Sequence, residues 1–228
     1  MSDTFAVAAR IHMEREDFEG WLAAPAPGLT AIANLGEMFA GWFWDGRPND
    51  PKDWERYAGS TTARQFFARR VERSCAYAAP LMTVLRYRDR ALEAYLIQQD
   101  YDIIQIHTGL LLLAGAAAYK TDSSDDLVLF WAEAGGLLLD ADDKGWLSVM
   151  AVSADGARFV RRTGTDDRES VSTTALAAAI QSLTPAQESL HDMDAAMLDD
   201  QTACLRAGTP LRSEAPGLPL YVDPAILR

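Results

Sequence analysis

The chain has 228 residues, of which 49% are hydrophobic and 24% charged, and its formal net charge is −12. These proportions are ordinary for a globular protein and exclude disorder, collagen and coiled coil as the main class. The acidic balance argues against a nucleic-acid binder, which advertises a basic excess. The length lets a core form without disulfide or metal support.

Residues 5–12 read as a first strand, and Phe18, Trp21 and Leu22 as the inner side of a short helix stopped by Pro25, Pro27 and Gly28. Residues 37–44 are aromatic-rich and precede the turn pair Asp45-Gly46, which predicts a strand. Two helix starts are well marked. Asp50-Pro51 supplies an N-cap and a proline at the first helical position. Thr62-Ala63-Arg64-Gln65 fits a capping box, and its helix carries Phe66, Phe67, Val71 and Cys75 inward until Pro80. Residues 81–98 alternate like a hairpin turning at Asp89-Arg90.

The apolar stretch 101–119 predicts a buried helix, followed by the loop 120–126. Residues 127–132 and 137–139 read as a strand pair around Gly135-Gly136. Residues 146–152 and 157–160 read as another, turning at Asp155-Gly156. Residues 173–183 are alanine-rich and helical. Thr184-Pro185-Ala186-Gln187 then opens an amphipathic helix through Leu190, Met193 and Met197 that Gly208 and Pro210 end. Together these elements predict one α+β domain over 1–228, a mostly antiparallel sheet flanked by helices. Its last part, 184–228, is a C-terminal helix with a proline-rich extended tail packed on it.

The start of the chain carries no positive charge before an apolar run, so it does not read as a secretory signal. The uninterrupted apolar run 109–119 is shorter than a spanning helix needs. A cytoplasmic protein with no membrane partner is the expectation.

No residue pattern specifies a reaction. Cys75 and Cys204 are far apart and in no metal-like spacing. His12, His107 and His191 form no His-x-x-x-His pair, and His107 lies in the most apolar segment, where a hydrogen-bonded core histidine is expected. Asp140-Ala141-Asp142-Asp143-Lys144-Gly145 opens like a calcium loop, but Lys144 and Ala151 occupy positions that need oxygen ligands, so a turn is the better reading. The glycine-rich phosphate loops and the nucleophile elbow do not occur. No cofactor, metal or catalytic residue is assigned.

Charge is distributed unevenly. Arginines 64, 69, 70, 73, 86, 88 and 90 stand against Glu72 and Asp89 alone. The segment 120–144 holds Asp122, Asp125, Asp126, Glu133, Asp140, Asp142 and Asp143 against two lysines. Acids gathered on loops repel one another and are relieved by water or by a basic partner, which they also attract over distance. Of the six tryptophans, Trp44 beside the turn 45–50 is the candidate aromatic anchor.

The stretch Leu35-Gly36-Glu37-Met38-Phe39-Ala40-Gly41-Trp42-Phe43-Trp44-Asp45-Gly46-Arg47 resembles a segment of bacterial immunity proteins, the cytosolic antidotes encoded beside polymorphic and type VI secreted toxins. The later Ala134-Gly135-Gly136 and Leu147-Ser148-Val149 are loosely similar too. The resemblance implies an α+β, non-catalytic, often acidic protein that binds and blocks one toxin, a nuclease among the candidates, whose own contact face is expected to be basic. Asp122, Asp125, Asp126, Asp140, Asp142, Asp143 and Trp44 are the expected contact residues, and a homodimer is left open. Two other classes stay in play: an enzyme whose site is assembled only by the fold, and a chaperone or adaptor for a secreted effector, which needs a large apolar groove.

Overall fold

The computed structural model describes residues 5–38, 51–76, 83–98, 103–132, 147–162, 170–171, 174–178 and 181. The elements run β1 (Phe5–His12), α1 (Arg15–Ala23), β2 (Ile32–Ala33), α2 (Pro51–Ala58), α3 (Ala63–Ala76), β3 (Thr83–Arg88), β4 (Ala91–Gln98), α4 (Ile103–Gly115), β5 (Asp126–Ala132), β6 (Leu147–Ser153), β7 (Gly156–Arg162) and β8 (Ser170–Val171). One sheet carries them in the order β2-β7-β6-β5-β1-β4-β3, with β8 also on β7. All pairings are antiparallel except those of β2 and β8, each parallel to β7. The α+β architecture expected from the sequence is therefore present.

Period-2 alternation divides the sheet into two faces. Val7, Ala9 and Ile11 of β1, Leu92, Ala94 and Leu96 of β4, and Val128 and Phe130 of β5 point into the main core. The helices cover that face. Helix α4 is apolar on nearly every side, as a helix buried all round must be. It packs on β1, β4 and β7, with α2 against it. It lies close because Gly109 has no side chain: a Cβ there would stand 2.5 Å from Leu96 Cδ1. Trp21 of α1 ties that helix to α4 by donating its indole N–H to the Leu112 carbonyl at 2.8 Å.

Local chemistry sets the ends of the helices. Pro51 opens α2, and Gly59 closes it in the left-handed conformation at φ 51, with its N–H on the Glu55 carbonyl. Thr62 and Gln65 form the expected capping box: Gln65 N–H donates to Thr62 Oγ1 at 3.2 Å, and Thr62 N–H to Gln65 Oε1 at 3.1 Å. The β3–β4 hairpin turns on Asp89 and Arg90, both with positive φ (52 and 57), the pairing a tight type I′ turn requires.

Three local expectations change. Leu35–Glu37 is a 3₁₀ turn entered through left-handed Asn34, and Met38 keeps a helical φ of −53, so the strand expected from residue 37 does not begin there. Residues 39–44 lie outside the described residues. Strand β5 finds its partners in β1 and β6, and residues 137–139 are likewise outside. The β6–β7 turn is Ala154-Asp155, one residue earlier than expected, because Ser153 pairs with Gly156. Gly156 is needed after the turn, where φ is +129.

Residues 184–228, including the expected C-terminal helix and tail, also fall outside. Among the described residues no helix is long and apolar enough to cross a membrane.

Candidate partner-binding site

The acidic segment 120–126 joins the 3₁₀ turn that ends α4 to the first residue of β5, and two buried charges fasten it. The Lys120 side chain is fully enclosed, and its ammonium bonds Asp126 Oδ2. Asp126 also accepts from the His12 backbone N–H at 2.8 Å and lies 2.7 Å from His12 Nδ1. A buried carboxylate is tolerable only when paired and hydrogen-bonded in this way. Asp126 therefore anchors the loop to β1 and is turned inward, away from any partner.

The other two acids of the loop stay at the surface. Asp125 is gripped by Arg158 of β7 through a two-pronged bond, Nη1 to Oδ1 at 3.1 Å and Nη2 to Oδ2 at 2.7 Å. Asp122 is more than half exposed. Ser124 Oγ donates to Asp122 Oδ1 at 2.6 Å, and this bond, followed by the Lys120 ammonium 3.4 Å away, lowers its pKa below the usual carboxylate range. Asp122 is thus a fixed negative charge through the neutral pH range.

The loop is bonded to the β6–β7 turn, where Ala154 N–H donates to the Asp122 carbonyl at 3.0 Å. That turn forms one wall of a half-open cleft of about 390 Å³. Trp21, Pro27, Leu112 and Tyr119 supply its apolar walls, and Asp155 stands on its rim. The cleft exists because the chain from Ala114 to Ala118 carries only alanine and glycine, too little side chain to fill the corner between α1 and α4. Two glycines bring its walls together. A Cβ on Gly20 would meet Tyr119 Cε1 at 2.8 Å, and one on Gly115 would meet Pro27 Cδ at 3.1 Å.

An apolar socket with an aspartate in its lining suits an apolar side chain presented on a basic surface. Of the residues expected to make contacts, the fold gathers Asp122, Asp125 and Asp126 in one loop and gives them three different environments. Asp140, Asp142, Asp143 and Trp44 lie outside the described residues, as does the calcium-like loop. Sequence reading missed Asp155 and the cleft. The Ala-Gly run at the end of an apolar helix was the available signal.

The histidines separate. His12 serves the Asp126 anchor. His107 is buried in α4 and stacks on Trp54 of α2 with ring centroids 3.9 Å apart. Its Nε2 has no hydrogen-bond partner, nor does Trp54 Nε1, so the expected core position holds but that ring nitrogen is unsatisfied. Burial pushes the His107 pKa down to about 3, which keeps it neutral. Among the described residues no three His, Cys, Asp or Glu side chains gather as a metal site. Comparison of the chain with protein-family models, curated proteins and solved structures returned no match.

Proposed function

We propose that this chain is an immunity protein that neutralises a cognate secreted bacterial toxin in the cytoplasm by stoichiometric binding to a basic contact face. The observation that carries the reading is the apolar cleft walled by Trp21, Pro27 and Tyr119 with Asp155 in its lining, and the acidic Asp122 loop bonded to the same β6–β7 turn. Binding energy concentrates where an apolar anchor enters a desolvated pocket, while surrounding charge chooses the partner and speeds encounter. A net charge of −12 adds long-range attraction for a basic partner, such as a nuclease whose cleft is built for phosphates.

The test is co-expression with the toxin encoded by the neighbouring gene. Survival of the cells and co-purification of an equimolar complex are expected, and Asp155→Lys should weaken both. Unchanged killing together with no complex would discard the proposal.

A further inference from the structure

The arginine-rich segment gains a second meaning from the fold. Arg86 and Arg88 of β3 come to the sheet face opposite the helices, beside Arg10 of β1. Strand β4 lies between them, and its Glu93 stands opposite Arg86 on one side and Arg10 on the other in a single cross-strand row. Glu93 is only 2% exposed, and all three guanidiniums converge on it. Arg86 Nε bonds Oε2, while Arg88 Nη2 and Arg10 Nε lie 3.4 Å and 3.5 Å from Oε1. In the next row the buried Ala91 sits between Arg88 and His12.

The donors exceed the acceptors. Each guanidinium offers about five N–H groups, so three of them cannot be satisfied by one carboxylate. Arg10 Nε is buried and makes no hydrogen bond at all. Asp89, on the exposed hairpin tip, adds one contact to Arg88 at 3.4 Å, and neighbouring Arg90 is already bonded to Glu14. Among the described residues the cluster keeps a positive excess, in a protein of net charge −12.

We propose that Arg10, Arg86 and Arg88 form a site for a phosphoryl group. A phosphoryl group brings three acceptor oxygens and a charge of about −1.5 to −2, which match several converging guanidiniums. A second carboxylate supplies fewer acceptors and less charge. Glu93 holds the three side chains pointing together, so the site is preformed before the anion arrives.

The experiment is calorimetric titration of the full chain at low ionic strength with inorganic phosphate, phosphoserine and acetate. Phosphate and phosphoserine should bind saturably, and acetate about tenfold more weakly or worse. Equal affinity for phosphate and phosphoserine assigns the site to the bare phosphoryl group; tighter phosphoserine assigns it to an esterified one. Arg88→Gln, at the half-exposed member of the cluster, should raise the phosphate Kd about tenfold with the circular dichroism spectrum intact. Arg10→Gln is the second variant and should act in the same direction. No saturable binding of either phosphate compound by ~10 mM, a corresponding free energy weaker than about −3 kcal/mol, overturns the proposal. So does acetate binding as tightly as phosphate, or phosphate affinity unmoved by both substitutions.

Discussion

The corner around Lys120 and the corner around Glu93 both bury an ion at the rim of one sheet, yet they treat it oppositely. At the first, one enclosed cation meets two aspartates, and the inner one, Asp126, is also bonded by His12 from β1. The bonding capacity of that pair is spent inward, and what the corner presents outward is the exposed carboxylate of Asp122. At the second, one enclosed anion meets three cations. It cannot satisfy all their donors: Arg10 Nε is buried without a partner, and Arg88 is half exposed. The ratio of partners, rather than the burial of the ion, decides what each corner presents outward: one carboxylate at the first, a cluster of guanidiniums at the second.

The largest expected effect tests the fastener. Lys120→Met keeps the length of the side chain and removes its charge, leaving Asp126 9% exposed without its cation. Losing one partner of a buried pair costs about 3–5 kcal/mol, because the other charge is left uncompensated. The loss should appear as a lower urea midpoint with an unchanged slope. A loss below about 1 kcal/mol would place the pair among ordinary surface ion pairs and remove the contrast between the two corners.

Much of the framework of these corners was legible in the sequence, because local rules wrote it. The alternation of β1, the Asp89-Arg90 turn, the Thr62–Gln65 capping box and the apolar α4 each follow from side chains within one or two turns of chain. The ion pairings were not legible in the same way. Asp126 and Asp125 are neighbours with the same chemistry, but one reaches Lys120 and His12 while the other reaches Arg158, 33 residues away. Only the register of β1, β5 and β7 separates their fates. The cleft escaped for a related reason: alanines signal a helix plainly, but the volume they leave empty depends on what packs beside them.

His107 sharpens the comparison by solving the problem of a buried ionisable group a third way, through loss of its charge. Its pKa lies at about 3 in the folded chain against 6.5 unperturbed. As pH falls below 6.5 the unfolded chain takes up a proton that the folded chain refuses. Stability contributed by the neutral ring is therefore complete above 6.5 and is lost progressively down to about pH 3. The slope from one such proton is at most about 1.4 kcal/mol per pH unit. His107→Leu should flatten this part of the acid limb by that amount in urea melts taken between pH 6 and 4. Parallel limbs for the two proteins would mean that His107 is protonated inside the fold.

The smallest effect on stability belongs to Asp122, and that is why it discriminates best. Its carboxylate is exposed, its negative charge is favoured by Ser124 and Lys120, and Asp126 rather than Asp122 carries the anchor. Asp122→Lys should therefore shift the urea midpoint far less than Lys120→Met does. If the acidic corner is an encounter surface, the same change should slow association with the toxin at low salt and flatten the dependence of the on-rate on ionic strength, because steering charges are screened over roughly 8–10 Å in ordinary buffers. On that reading dissociation should change less, because the anchor proposed for the apolar cleft is the same in both proteins. A dissociation rate that changed more than the association rate would assign Asp122 to the bound contact instead of the approach. Equal association rates at every salt concentration would leave the corner as a fastener alone, with no outward role.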